Sequence, residues 1–229
     1  MHGLRLGHAR GLPRRSERRG SRGGALNADQ YILSLDDGTL AARVSEQIAV
    51  RLADALEVAW APIPVPASHP RAEAQAPAAT ADRDWVLAVA MPWSGDGERL
   101  RRLVEAMPYP LLVVSPAAAK RRAERALALS QHVVLHVAES ADPASERVAQ
   151  TAATAMGDWR ATLGPDAFAR HPGVHVELIV TSAANLARRR VRRALERVVA
   201  PVLVVPADGD RGWPELEDGW SAPLALVPT

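Results

Sequence analysis

Short apolar runs alternate with longer amphipathic stretches along most of the chain, and this alternation constrains the fold more than any other feature. Runs such as Tyr31–Leu35 and Leu111–Val114 are typical of buried strands. Leu40, Val44 and Ile48 instead begin an apolar series that recurs every four residues, as on one face of a helix. Because parallel strands need long crossover connections, usually helices, the alternation predicts an α/β fold with a doubly wound, mostly parallel sheet.

The same patterns locate the individual elements. Apolar positions from Val148 to Leu163 predict one long helix, and those from Ala187 to Val198 predict another. Residues 67–83 are rich in Ala and Pro without a period, so we expect a loop or linker there, within a Pro-rich segment 62–83. The predicted strands are Tyr31–Leu35, Val58–Ala61, Trp85–Ala90, Leu111–Val114, Val133–Val137, Val174–Val180, Val202–Val205 and a short Leu224–Val227.

Residues 100–114 and 191–205 align at an offset of 91 without gaps, and we call this pair of segments the repeat. Each consists of a helical pattern followed by a strand that begins at a proline. One interpretation is a duplication that gives two related α/β halves; the other is that helix–strand units look alike in any Arg- and Ala-rich α/β protein. The identical pairs are Arg101/Arg192, Arg102/Arg193, Glu105/Glu196, Pro110/Pro201, Leu112/Leu203, Val113/Val204 and Val114/Val205.

Three segments together resemble the universal stress protein family. YILSLDDGTLAARVSEQIAVRLADAL is similar to that family's first strand and helix, HVVLHVAES to its second strand, and RRVRRALERVVAPVLVVP to its closing helix and final strand. The resemblance covers most of residues 30–208 and implies a Rossmann-like sheet, dimerisation through the last strand and, in some members, binding of ATP or AMP. We therefore expect two related, eroded halves, residues 30–116 and 117–229, after a disordered basic tail of residues 1–29.

Nucleotide-binding members of the family carry a Gly-x2-Gly-x9-Gly-Ser/Thr loop whose backbone N–H groups enclose phosphates. Counted back from Pro201, the final pair of that motif falls on Arg188-Arg189, and counted back from Pro110 it falls on Gly97-Glu98. Only Gly97 matches the motif. We therefore expect no family-type ATP binding and no required cofactor, with ATP or AMP binding as the alternative.

The candidate nucleotide-binding residues lie in two turns that follow predicted strands. Asp36, Asp37 and Gly38 follow the first strand, and by resemblance one of the carboxylates would contact adenine or ribose. The alternative is a turn whose carboxylates cap the helix that begins near Thr39. Gly95 and Gly97 belong to a second turn, which either binds an anion as a nest of backbone N–H groups or is a capped turn complemented by its own acidic residues.

Composition excludes several kinds of site and partner. The chain has no cysteine, which removes disulfides and thiol chemistry, and it has no apolar run long enough to span a bilayer. Residues 1–30 contain seven Arg against two acidic residues, a net charge of +5, so the rest of the chain carries −3. Because the basic balance belongs to a tail, and no aromatic residue lies among the arginines of residues 188–197, we expect nucleic acid not to be the partner.

These observations predict a cytoplasmic, non-enzymatic regulatory module in the stress response that acts through dimerisation and protein contacts, without membrane association. The dimerisation surface is predicted to be the strand formed by Val202, Leu203, Val204 and Val205, taken as an edge of the sheet. No catalytic motif is found, and no metal site is expected, since His132 and His136 would lie about 13 Å apart along one strand. The alternative function is an adenine-nucleotide-binding stress protein.

Overall fold

The computed structural model describes residues 30–65, 75–81, 83, 86–93, 97–125, 133–156, 159–163, 176–196, 199–207 and 213. Helices and strands alternate over most of the described residues, and the chain is an α/β protein, as the sequence pattern predicts. The elements up to residue 125 are β1 (Tyr31–Asp36), α1 (Leu40–Ala55), β2 (Ala59–Pro64), α2 (Ala76–Thr80), β3 (Ala88–Pro92), α3 (Gly97–Ala106), β4 (Leu111–Val114) and α4 (Pro116–Arg125). They are followed by β5 (Val133–Val137), α5 (Pro143–Met156), β6 (Trp159–Leu163), β7 (Val176–Ser182), α6 (Ala183–Ala187), α7 (Arg189–Glu196) and β8 (Val202–Val205).

All eight strands form one mostly parallel sheet in the order β2-β1-β3-β4-β8-β7-β5-β6. The first strand group, β1–β4, is parallel throughout, and so is the second strand group, β5–β8. Matching each strand of the first group with the strand four places later gives the same spatial order in both groups. The two groups meet at β4 and β8, which are antiparallel and pair Leu112 with Leu203.

The position of β8 corrects the expectation that Val202–Val205 is an edge strand. β8 pairs with β4 on one side and with β7 on the other, so it lies in the middle of the sheet. Leu203, Val204 and Val205 are completely buried, and Val202 is half-buried. The backbone groups of β8 pair with strands of the same chain on both sides. β8 therefore has no free edge at which a second copy could add a strand.

Alternate residues of the strands point to opposite faces of the sheet, and each face is covered by helices. In β4, Leu112 and Val114 pack with buried residues of α1, α4 and α5. Leu111 and Val113 pack on the other face with buried residues of α2, α3 and α6. None of the helices in the described part of the chain is long and apolar enough to span a membrane.

The strand β2 forms one edge of the sheet and continues through the prolines that follow the predicted strand. The N–H groups of Ala59 and Val65 donate to Gln30 and Asp36, on the side of β1. Since alternate residues of a parallel strand bond to the same neighbour, Pro62 and Pro64 face away from β1 and leave that side without donors at both positions. The segment 62–83 is therefore more than a linker: it contains the end of this edge strand and the short helix α2.

Two predicted helices divide differently in the structure. The long helix expected from Val148 to Leu163 ends at Met156, and Trp159–Leu163 forms the other edge strand, β6, beside β5. Gly157 and Asp158 separate the two and are poor helix formers. The helix expected from Ala187 to Val198 is split at Arg188, whose backbone is extended. The short strand predicted at Leu224–Val227 lies outside the described residues.

Candidate functional site

The order of strands changes direction at two places, and open α/β sheets bind ligands at such places, beyond the carboxyl ends of the strands. In the first strand group, β2 lies on one side of β1 and β3 on the other, so the first switch point lies beyond the ends of β1 and β3. In the second strand group the corresponding second switch point lies beyond the ends of β5 and β7.

Asp36 and Asp37 lie at the carboxyl end of β1, at the first switch point, and both carboxylates accept hydrogen bonds from nearby backbone. The N–H of Gly38 donates to Asp36 Oδ1 at 2.8 Å, and the N–H of Thr39 donates to Asp37 Oδ1 at 2.9 Å. Gly38 has a φ of 77°, the left-handed conformation that glycine adopts without strain. The two carboxylates thus stabilise the turn between β1 and α1, the alternative to a ligand role.

The amino terminus of α1 is capped by the protein itself. Thr39 is the N-cap residue, and its Oγ1 accepts a hydrogen bond from the N–H of Ala42 at 3.1 Å. An anion bound at a helix N-terminus needs free N–H groups there. The turn and the cap together use the N–H groups of Gly38, Thr39 and Ala42, while two carboxylates stand beside them.

The second predicted turn contributes negative rather than positive charge. Gly97 is the first residue of α3, whereas Gly95 lies outside the described residues. Glu98, in the first turn of α3, accepts from Arg101 at 2.7 Å and from Arg102 at 3.3 Å. The hydrogen bond from Arg101, assisted by Arg102, lowers the pKa of Glu98 to about 2. This helix N-terminus is therefore complemented by a permanent carboxylate.

The second switch point is occupied by Asn185, a residue that the sequence patterns did not identify. Its Oδ1 accepts from the N–H groups of Glu139 and Ser140 at 3.0 and 3.3 Å, and its Nδ2 donates to Ser182 Oγ at 3.1 Å. Asn185 is completely buried. The amide ties the loop after β5 to the start of α6. Its signal in the sequence is the Ser182-x-x-Asn185 cap directly after an apolar strand.

A buried histidine and serine lie near the same end of β5. Nε2 of His136 and Oγ of Ser145 are 2.8 Å apart. The Ser145 hydroxyl also donates to the carbonyl of Asp142 at 3.2 Å, and the carboxylate of Asp142 accepts from the N–H of Ser145. Because His136 and Ser145 are 2% and 0% exposed, the pair is placed to hold α5 against β5 rather than to meet a substrate.

The clearest buried charge is Glu177, which the sequence patterns also missed. The pairing of β5 with β7 shifts register between Val133 and Val134, so Glu177 is an extra residue in the ladder. Such bulges re-aim side chains. The Glu177 carboxylate accepts from Arg51 of α1 at 3.0 Å and from Arg122 of α4, and Arg51 also donates to the Met156 carbonyl at 2.6 Å. An acidic residue inside the run VELIV was the available signal.

The described residues contain no group of three or more His, Asp or Glu side chains placed to hold a metal ion. Comparison of the chain with protein-family models, with curated proteins and with solved structures finds no match. The candidate sites are the two switch points, whose polar groups form hydrogen bonds within the protein, and the buried ion cluster of Glu177, which joins α1, α4 and β7.

Proposed function

We propose that the chain is a non-enzymatic regulatory module similar to the universal stress proteins, in which two eroded halves take the place of two subunits. The observation that carries this proposal is the register of β4 and β8. Leu112 and Leu203 are equivalent in the repeat, and they are also the residues that face each other in the antiparallel pair. A twofold axis between two copies places equivalent residues opposite each other in this way.

The prolines that open the two strands support the same proposal. Pro110 and Pro201 are equivalent in the repeat. The carbonyl of Pro110 accepts from the N–H of Val89 in β3, and that of Pro201 accepts from the N–H of Ile179 in β7, both at 2.9 Å. The resemblance implies family dimers joined through their last strands, and β4 and β8 are the last strands of the two proposed halves.

The proposed module functions as a single chain through contacts with other proteins. Light scattering on the purified protein tests this part of the proposal, with an expected mass of 24.5 kDa per particle that does not increase with concentration. A stable particle of twice that mass would show that the internal pairing does not replace a dimer.

We propose further that the module binds no nucleotide in the manner of the family. The turn hydrogen bonds of Asp36 and Asp37, the cap of α1 and the Glu98 carboxylate support this. A triphosphate at these turns would lie beside carboxylates, and the N–H groups of Gly38, Thr39 and Ala42 already donate within the protein. The position of Asp36 at the carboxyl end of β1, a strand that pairs with β3, favours the alternative, adenine-nucleotide binding.

Calorimetric titration with ATP and Mg²⁺ decides between these two functions. We expect no saturable heat in the micromolar range. Micromolar binding that is lost in both Asp36→Ala and Asp37→Ala, but kept in Asp54→Ala, would establish the alternative. Asp54 is the matched control because it is an exposed carboxylate on α1, remote in sequence from the turn.

A further inference from the structure

Five arginines are gathered on one short segment of the second strand group, and we call them the α7 arginines. Arg189, Arg190 and Arg193 are exposed on α7, Arg192 is half-buried there, and Arg188 is exposed immediately before the helix. Among the side chains that the structure describes, a set without that of Glu196, no ion pair joins any of them to a carboxylate. Val191 is buried against the sheet and Leu195 packs beside it, so the opposite side of the helix carries the charge.

The equivalent helix of the repeat, α3, shows the opposite arrangement. Arg101 and Arg102 correspond to Arg192 and Arg193, and both are paired with Glu98. Arg101 is also paired with Glu105. Extended by two residues, the same alignment places Arg189 opposite Glu98. The two helices therefore differ by a charge reversal at this position, whereas Glu105 and its equivalent Glu196 are identical.

We propose that the α7 arginines form a binding surface for the phosphate backbone of duplex DNA, without sequence preference. The guanidinium fork matches phosphate oxygens, and neutralising phosphates releases condensed counterions. The sequence alone favours a solvated helix face, because an apolar stripe lies on the other side. The structure adds the contrast with α3, where the same arginines are neutralised by carboxylates of their own helix.

A protein partner and single-stranded nucleic acid fit this surface less well than duplex DNA. Protein interfaces are built around apolar or aromatic anchors. The exposed large hydrophobic residue among the described residues is Leu40, which lies on α1 rather than α7. Single strands are held by stacking on aromatic side chains, and residues 188–197 contain none. A helix that carries four arginines and one glutamate, with a net positive charge, matches the polar, positively charged character of protein–DNA interfaces, and a helix fits the width of the major groove.

The proposal predicts a steep dependence on salt. Each phosphate contact contributes a slope of about −0.9 to the logarithm of the binding constant against the logarithm of salt concentration. Contacts from three or four of the five arginines would weaken binding about 40- to 150-fold between roughly 50 and 200 mM salt.

The test is fluorescence anisotropy with the full chain and a labelled mixed-sequence duplex at several salt concentrations, using two reciprocal substitutions. Arg189→Glu gives α7 the carboxylate that α3 has, so we expect affinity to fall at least tenfold and the salt slope to become shallower. Glu98→Arg removes the carboxylate that Arg101 and Arg102 share and leaves Glu105 as a partner of Arg101. The net positive charge of α3 increases, so affinity is expected to rise. The basic tail is unchanged in both variants, and differences between them report on the helices.

Arg43→Glu is the matched control, since it makes the same charge change at an exposed position on α1. We expect it to bind nearly as well as the unchanged chain. An equal loss in Arg43→Glu and Arg189→Glu would assign binding to overall charge and overturn the proposal, and so would tighter binding of a single strand than of the duplex. Arg193→Ala provides a second variant if Arg189→Glu does not fold, and it must also weaken binding.

Discussion

The two switch points lie at equivalent places in their strand groups, but they contain different polar groups: two carboxylates at the first and a buried amide at the second. At the first, Asp36 and Asp37 accept hydrogen bonds from the two residues that follow them, so each carboxylate is used locally. At the second, Asn185 binds residues 45 and 46 positions away and joins the loop after β5 to the start of α6. The strand order therefore determines where a switch point lies. A few polar side chains determine whether its hydrogen bonds stay within one turn or connect segments that are distant in sequence.

The junction of the two strand groups should give the largest effect. Leu112 and Leu203 face each other in register and are completely buried. Replacing either leucine with Ala should lower the free energy of unfolding by about 2–5 kcal/mol, because a cavity forms in a core that both groups share. Urea denaturation followed by circular dichroism measures this, and one cooperative transition is expected.

The double substitution of Leu112 and Leu203 with Ala tests whether the two strand groups unfold as one unit. Residues in contact deviate from additivity by about 0.5–3 kcal/mol. Additive losses, or two separate unfolding transitions, would show that the groups are independent units. Leu203→Asp, which would only weaken a dimer if β8 were a free edge, is expected to unfold the chain because it buries a charge in the middle of the sheet.

Glu177 should give the next largest effect, and Glu105 in α3 is its exposed counterpart. Glu177→Gln removes the carboxylate that pairs with Arg51 and Arg122, at a site where the Glu177 side chain is only 6% exposed. We expect a loss of about 2–3 kcal/mol, less than for a fully buried pair because both guanidinium groups keep contact with water. Thermal melting of Glu177→Gln and of the control Glu105→Gln measures the difference in stability.

Glu105→Gln breaks an ion pair between exposed side chains on a single helix, so it should scarcely change the melting temperature. Equal destabilisation by the two substitutions would mean that the cluster around Glu177 does not connect α1 and α4 with β7. The long-range ion pairs of Glu177 would then stabilise the fold no more than an ion pair within one helix.

The sequence predicts this fold well where apolar period and length agree. The runs at Tyr31–Leu35, Leu111–Val114 and Val133–Val137 are strands because Val, Ile and Leu at consecutive positions fit a sheet covered on both faces. The long α5 pattern extends falsely to Leu163, because Trp159 and Leu163 continue a helical spacing although they belong to β6. Periodicity alone does not separate a helix end from a short edge strand.

Long-range contacts are what the sequence could not supply. Val202–Val205 looks the same whether it is an edge or a central strand, and only pairing with Leu111–Val113 decides between them. Asn185 and Glu177 have no local pattern that names their partners. Asp36 and Asp37 were found because the end of a strand and a turn are local features.

Asn185→Ala and Asp36→Ala compare the two switch points directly. Loss of the Asn185 amide removes hydrogen bonds to two backbone N–H groups and to the Ser182 hydroxyl at a completely buried position, so we expect a loss of about 1–3 kcal/mol. Asp36→Ala removes one local hydrogen bond beside water and should cost about 1 kcal/mol or less. Hydrogen exchange of the Glu139 and Gly38 amides, measured in both variants, should show faster exchange only at the site that is changed. Faster exchange at both sites in either variant would mean that the two switch points are coupled.

The smallest expected effect concerns Glu98, the position that differs in charge from its repeat counterpart Arg189. The hydrogen bond from Arg101 lowers the pKa of Glu98 from 4.5 to about 2 in the folded chain. A lowered carboxyl pKa stabilises the folded state above the unfolded pKa, and this contribution is lost as the pH falls from about 4.5 through about 2. Carboxyl NMR titration should give a midpoint near 2 for Glu98, moving toward 4.5 in the Arg101→Ala and Arg102→Ala double variant and, because the pair is exposed, also in high salt. A midpoint near 4.5 in the unchanged chain would show that α3 does not neutralise its arginines, and the contrast with α7 would disappear.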